Sequence, residues 1–456
     1  MNALEKRSVA ALASVYAMRM LGLFMVLPVF VLLGSDLEGA TPLLIGLAIG
    51  GYGLSQALLQ IPFGMMSDRF GRKRMIYIGL ILFAVGSLLA AASDSIYGVI
   101  LGRILQGSGA IASVLMALLS DLTREEERTK AMALVGVSIG LAFSVSLVLG
   151  PLLGNRFGLA GIFYLTAALA GVAMIVVSRV VPQPHAPVGH YESRPAVTML
   201  GQVLRDSRLV RLDIGIFALH LTLTAAFMIV PSLLRDDIGL DTGSHWWFYL
   251  TVMVTSFFAM VPFIIVGEKK RRMKVVLNSA IVLLIGSVIG LSQVDGQLET
   301  AWFVLFLFFM AFNLLEASLP SLVSKESPAG SKGTAMGVYS TSQFLGAFLG
   351  GSLGGLLLEG YGLNGVLVLM VVTLAMWLAA ALSMPSPSHT ASFMVQLYDA
   401  ESDDIGNIDR TLRGLPGVED VVVLEGVGTA YLKVDRQYFN EECLSECSFV
   451  RPAMSS

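Results

Sequence analysis

The chain has 456 residues, of which 55% are hydrophobic and 14% charged, with a formal net charge of −3. Soluble domains carry roughly 25% charged residues, so this composition, with a mean hydropathy of +0.75, excludes an ordinary water-soluble fold. The 47 Gly and 22 Met suit helices packed closely within lipid, and no feature of the charge suggests a nucleic-acid partner.

Twelve apolar runs follow one another up to residue 383, each near the ~20 residues that a spanning helix needs. They cover 9–33, 43–66, 75–93, 96–120, 131–154, 159–181, 211–234, 245–266, 275–293, 300–323, 333–358 and 361–383. The first run is a full span without a small-residue cleavage site, so no removable signal peptide is expected. Arg156 and Arg235 are the only Lys or Arg in the odd-numbered connections, whereas the even-numbered ones hold runs such as RFGRKR and KKRRMK. Positive loops stay cytoplasmic, which places the even connections and both termini inside.

The chain matches itself at a shift near 200 residues. FMVLP (24–28) answers FMIVP (227–231), Pro62-Phe63 answers Pro262-Phe263, and SDRFGRKRM (67–75) falls on GEKKRRMKV (267–275). FGLAG (157–161) answers YGLNG (361–365). Two six-helix halves with parallel topology follow, an arrangement that puts a binding site between the halves near mid-membrane. The expected organisation is a first half at 1–181, a connecting loop at 182–210, a second half at 211–383, a Pro/Ser linker at 384–391 and a small domain at 392–456.

Between the second and third spans stands GMMSDRFGRKR. Asp68 lies at the end of a helix whose dipole does not favour a carboxylate, so it needs a partner, and Gly64 permits close helix approach. With Arg69, Gly71, Arg72 and Lys73, this string resembles the signature loop of the major facilitator superfamily. The resemblance implies a twelve-helix transporter fold that works by alternating access. It also implies that Asp68 faces the start of the eleventh span and that Arg72 pairs with Asp121 at the foot of the fourth, together forming a conformational latch.

LGRILQGSGA (101–110) resembles the superfamily's fourth-span motif, whose arginine is linked with proton transfer. Arg103 lies roughly 10 Å inside the span at ~1.5 Å per residue, a depth at which arginine faces a cavity or an acid or snorkels to the headgroups; Gln106 belongs to the same motif. Gly150, Pro151 and Gly154, preceded by Gly136 and Gly140, resemble a fifth-span motif of antiporter members, with Asn155 where a second terminal glycine usually stands. Pro151 removes a helix hydrogen bond and is expected to kink the span. Residues 312–351 and MRMLGLFMVLPV (18–29) resemble one bacterial subgroup that carries a small ferredoxin-like domain after its last span.

Few polar side chains lie deep in the spans. Arg19 is near the middle of the first and His220 is in the seventh; Asn313 and Glu316 share a face of the tenth. Intramembrane ionisable groups mark function by default, so Arg19, Arg103 and Glu316 are the candidates for proton coupling, and Gln106, His220 and Asn313 for cavity lining. A bland alternative for His220 is a bond to neighbouring backbone, and for Glu316 a gate pair with a loop lysine.

After MPSPSHT (384–390), FMVQL (393–397) alternates like a strand, and Ile405, Ile408 and Leu412 have helical spacing. GVEDVVVLE and GTAYLKVD read as two strands, followed by a helix around 437–446. That order suggests a split βαβ domain with only a short final strand near Phe449. Cys443 and Cys447 read as reduced thiols rather than a metal site; the acidic run Glu401, Asp403, Asp404 reads as a solvated helix start, and no metal or cofactor is expected.

The functional expectation is a secondary transporter in a bacterial inner membrane. It is expected to act as a monomer in the lipid bilayer and to use protons to drive efflux of small, fairly apolar molecules. The alternatives are a proton-independent facilitator and a transporter-like sensor that signals through its tail. A nucleotide-driven pump lacks its phosphate loop, and no nucleophile–base set suggests an enzyme.

Overall fold

The computed structural model describes residues 1–183, 196–327 and 332–385. In the tail it describes 390–398, 405–424, 429–435, 438–440, 442–445, 447, 449 and 450. The acidic run at 401–404 and residues 386–389 of the Pro/Ser linker lie outside the described residues.

The chain crosses the bundle twelve times. The first pass is α1 (Ala3–Phe24) and α2 (Leu27–Gly34), interrupted just before Pro28, whose missing N–H breaks the ladder. α3 (Pro42–Phe70) and α4 (Arg72–Ala91) follow. The fourth pass is broken into α5 (Ile96–Ser108) and α6 (Ala112–Asp121), where the sequence pattern suggests one helix. Gly109 departs from helical dihedrals there and lies against the backbone of Gly79.

α7 (Glu125–Arg179) contains both the fifth and sixth passes. Its backbone leaves helical dihedrals at Gly158 (φ 65°, ψ −172°) and not at Pro151, where the kink was expected. α8 (Ala196–Arg205) is a short helix within the stretch read from sequence as a loop. α9 (Ser207–Ser232), α10 (His245–Lys269), α11 (Met273–Leu291) and α12 (Leu298–Glu326) are the next four passes. α13 (Lys332–Leu382) holds the last two and turns at Gly362 (φ 62°, ψ −157°). Gly158 and Gly362 are the second residues of the FGLAG and YGLNG repeats. A positive φ is open to glycine and costly for other residues, so the internal repeat reappears as two matching hinges between helices.

The side carrying residue 1, the α3–α4 turn and the tail is called the near side, and the opposite side the far side. The two halves meet along α3 and α13. A Cβ on Gly50 would stand 2.6 Å from the carbonyl oxygen of Phe348, and one on Gly53 2.6 Å from that of Phe344. Gly351 is as close to the carbonyl of Gly46, and Gly355 touches Pro42. Such contact between backbones is how helices associate in lipid, where the hydrophobic effect gives little drive. At the far end of this seam the Leu43 N–H donates to Glu359 at 3.1 Å. Toward the near side the seam stops. Gly64 faces Ser113 of its own half, and Leu58, Met65 and Met66 are exposed.

The tail forms a three-stranded antiparallel sheet of β1 (Thr390–Gln396), β2 (Val418–Leu424) and β3 (Thr429–Asp435) in the order β1-β3-β2. α14 (Ile405–Arg413) places Ile408 and Leu412 in its core. A single antiparallel bridge, Leu397 to Val450, lies just beyond β1. The helix expected around 437–446 is described only as α15 (Glu442–Ser445), so Cys447 lies outside it. Both cysteines are free thiols.

Candidate functional site

Two buried polar clusters face the middle of the bundle, one in each half. In the first half, Arg19 of α1 donates to the Tyr52 hydroxyl at 3.0 Å and to Gln56 Oε1 at 2.5 Å. Gln56 passes the interaction to Gln60 at 2.8 Å. Tyr52, Gln56 and Gln60 recur every four residues along α3, so one helix face presents all three. Arg103 of α5 is fully buried, which rules out snorkelling. It donates to the Ala48 carbonyl at 3.2 Å and to Gln106 Oε1 at 2.6 Å, and Gln106 donates to Ser87 at 2.9 Å. The Arg103 guanidinium also lies 5.0 Å from the centre of the Tyr52 ring, within cation–π range.

Tyr52 thus joins both arginines, one through its hydroxyl and one through its ring. No carboxylate pairs with either among the described residues, and Arg19 Nε, Arg19 Nη1 and Arg103 Nη2 are buried without an acceptor. Burying a cation in a membrane helix costs about 2.5–3.5 kcal/mol on insertion scales. Two such groups in one half, incompletely bonded, are costly to stability.

The cluster of the second half centres on Glu316 of α12. Its Oε1 accepts from Gln343 Nε2 of α13 at 3.3 Å, and its Oε2 lies 3.8 Å from His220 Nδ1 of α9. The same Gln343 nitrogen is 2.8 Å from His220 Nε2. Three helices therefore converge on one carboxyl, and among the described residues no loop lysine pairs with Glu316. His220 meets side chains as well as any backbone neighbour. Asn313, one turn away, contacts Ser256 of α10 at 3.4 Å. Aromatic rings fill the space between the clusters. Phe143 of α7 lies 5.6 Å from Phe312 and 6.4 Å from Phe309, and Phe344 lies 6.2 Å from Tyr52 in an edge-on contact.

On the near side, Arg72 Nε donates to Asp121 at 3.1 Å and Nη1 to Ser67 at 2.6 Å, and the same guanidinium pairs with Asp68. Gly71 turns the chain between α3 and α4 at φ 94°, and Lys73 donates to the Val181 carbonyl at 2.5 Å. Arg69 stacks over Phe70 at 5.7 Å. Asp68 is largely exposed, and no bond joins it to the start of α13 among the described residues. Residues 328–331, which lead into α13, lie outside the described residues. The second half repeats the pattern with opposite sign: Glu268, the counterpart of Asp68, pairs at 2.7 Å with Lys325 at the foot of α12. In the fifth pass, a Cβ on Gly150 would collide with the Met25 carbonyl and one on Gly154 would stand 3.0 Å from Leu33, whereas one on Gly136 or Gly140 would meet nothing within 4 Å.

Sequence reading missed Tyr52, Gln56, Gln60 and Gln343. The i, i+4, i+8 polar row of the second span was a usable signal; a lone Gln343 in a Ser/Thr-rich helix start was not.

A family model described as Major Facilitator Superfamily matches residues 12–351. The chain is 46% identical over 438 residues to the inner membrane transport protein YajR of Escherichia coli (strain K12), covering 96% of each chain. It is 27% identical over 341 residues to the multidrug resistance protein MdtH of Aeromonas salmonicida (strain A449), covering 74% of this chain and 84% of that one. Among solved structures it resembles the human organic anion transporter MFSD10, with a TM-score of 0.61 at 19% identity, over 84% of this chain and 100% of that one. A bacterial homologue of the human lysosomal transporter Spinster, inward-facing and occupied, gives 0.66 at 14%, over 84% and 96%. At such identities the two structures speak for the fold alone.

Proposed function

We propose, because this chain belongs to the Major Facilitator Superfamily, that it is a secondary transporter that exchanges protons for small, fairly apolar molecules by alternating access. The observation that carries this reading is Glu316, a half-buried residue whose carboxyl, with Oε2 buried, is held by an amide and lies beside an imidazole, opposite a half with two buried guanidiniums. A carboxyl in such a place can take a proton from one side and release it to the other when its surroundings change. The aromatic surface around Phe143, Phe309, Phe312 and Phe344 suits an apolar substrate. The name of the MdtH relative, a multidrug resistance protein, is in keeping with efflux.

On this reading the near side is cytoplasmic, in accord with its lysines and arginines, the membrane is the bacterial inner membrane, and the sealed far seam corresponds to an inward-open state. Asp68, Arg72 and Asp121 then serve as a latch whose Asp68 arm engages the start of α13 when the near side closes, shifting populations rather than creating binding. Arg103 and Arg19 tune the site electrostatically, with Gln106, His220 and Asn313 lining it. Gly150, Pro151 and Gly154 let α7 pack against the first pass. The tail is a split βαβ module of the ferredoxin-like kind, and the working unit is a monomer.

The test is substrate accumulation in cells lacking other efflux systems. Wild type should lower the accumulation of at least one lipophilic dye in a manner abolished by a protonophore, and Glu316→Gln should lose that effect. A Glu316→Gln protein that exports as well as wild type would remove Glu316 from the coupling role.

A sensor reading draws support from the tail's contacts. Asp435 is 3.6 Å from Arg271, and Lys433 donates to the Glu326 carbonyl at 3.4 Å. Removal of residues 384–456 separates the two: a transporter retains export, while a sensor loses its output.

A further inference from the structure

We infer that Gln343 is the positioning residue that ties the carboxyl of Glu316 to the far-side seam between the halves; this rests on the coupling role proposed for Glu316. The Gln343 amide stands at a junction. One nitrogen, Nε2, reaches both His220 Nε2 (2.8 Å) and Glu316 Oε1 (3.3 Å), and so links α13 to α9 and α12. The next residue, Phe344, belongs to the seam. Its ring packs edge-on against Tyr52, and its carbonyl oxygen lies where a Cβ on Gly53 would come within 2.6 Å. Tyr52 in turn takes the Arg19 hydrogen bond and lies under Arg103. A continuous chain of contacts therefore runs from the acid of one half to both arginines of the other through two adjacent residues of α13.

The chemistry of the amide suits this place. While Glu316 is ionised it is an acceptor only, and the Gln343 N–H groups satisfy it. Once Glu316 is protonated it has an O–H to donate, and a flipped Gln343 offers its carbonyl as acceptor. An amide can serve both forms, whereas the buried carboxyl would be left with an unmet bond if Gln343 stayed still.

Helix α13 has little slack to absorb that rearrangement. Gly346 lies against the Phe217 backbone and Gly350 against Leu221 and Thr224 on one side, while Phe348 and Gly351 lie against Gly50 and Gly46 on the other. Close-packed elements switch between discrete arrangements rather than deform, so a shift at Gln343 is felt at the seam.

Other titratable groups near Glu316 are few. α9 supplies His220 and, toward the near side, Asp213; α13 supplies Tyr339, within electrostatic reach of Glu316 and Asp213. α10 carries its titratable groups at its ends, as His245, Tyr249, Glu268 and Lys269, and α11 carries Lys274 at its near end.

The experiment uses the full chain in nanodiscs, with Cys443→Ser and Cys447→Ser and spin labels on Asp94→Cys and Asp295→Cys, two exposed far-side positions, one in each half. Electron resonance gives the far-side distance as a function of pH, and infrared difference spectra follow the Glu316 carboxyl band, identified by its loss in Glu316→Gln. With Gln343 in place, the distance distribution should follow the carboxyl band. In Gln343→Met, of similar length without hydrogen bonds, the band should still titrate while the distance response loses at least half its amplitude.

Phe344→Leu should uncouple in the same way, and it decides the matter if Gln343→Met does not fold. Unchanged amplitude and midpoint in Gln343→Met, or in Phe344→Leu where that variant must decide, overturns the inference alone. A parent protein without any pH-dependent distance change, or one in which Glu316→Gln keeps it, overturns the role of Glu316 as well.

Discussion

At the scale of single residues, Tyr52 organises the site. Its hydroxyl accepts from Arg19, its ring carries Arg103, and its edge meets Phe344 across the interface. Arg103 shows why the residue type matters. A guanidinium can donate to the Ala48 carbonyl and Gln106 together and still lie flat over a ring, whereas an ammonium is a compact point charge that cannot hold that geometry. Arg103→Lys is therefore expected to fold, with a melting temperature within a few degrees of wild type, yet to lose about tenfold or more in initial transport rate, roughly 1.4 kcal/mol in the barrier. Rates in reconstituted vesicles check this, and a lysine variant with wild-type rates would leave charge alone as the requirement.

These residues also mark the limit of what the sequence discloses. Arg19, Arg103, His220 and Glu316 stand out because charge is rare in spans. Among their partners, the row of Tyr52, Gln56 and Gln60 is visible by its spacing, but Gln343 is an ordinary residue in a membrane helix, and its role comes from which helices the fold sets side by side.

At the scale of elements, the far seam is the telling feature. It is a backbone-to-backbone contact made by glycines on α3 and α13, and its closeness depends on the absence of side chains. Gly50→Leu places a branched side chain against the Phe348 carbonyl. Overpacking of this kind costs about 1–3 kcal/mol, all of it in the state with the seam closed. The population should move roughly tenfold to hundredfold toward a far-open state. With both native cysteines replaced, a Cys at the buried Ser352 should then react correspondingly faster with a membrane-impermeant thiol reagent. An unchanged rate would mean that the seam is not a gate.

The twelve passes and the twofold repeat are legible in the sequence, because span length and loop charge follow from the bilayer itself. The interruption after Ser108 is not, since the apolar run continues through it, whereas Pro28 marks the one after Phe24. Nor is the location of the α7 hinge. Pro151 looks like the breaker, but its fixed φ fits a helix, while Gly158 adopts a conformation that only its missing Cβ makes cheap.

At the scale of the whole molecule, the structure is asymmetric along the membrane normal. The halves are joined through α3 and α13 from the far end to Tyr52, and on the near side each is braced by its own ion pairs. Arg72 is bound to Asp68 and Asp121 in one half, Lys325 to Glu268 and Arg208 to Glu326 in the other. The tail leans on the second half through Arg271 and the foot of α12. Under the proposed function, that arrangement is one of two end states, and protons move the molecule to the other.

The most direct measurement is proton flux in vesicles that contain the purified protein, a pH-sensitive dye inside and a panel of lipophilic cations and small metabolites outside. The account predicts proton movement that begins on addition of at least one panel member and is absent in Glu316→Gln. Measurable ligand binding without proton movement for any member would contradict it and leave a facilitator or a sensor in its place.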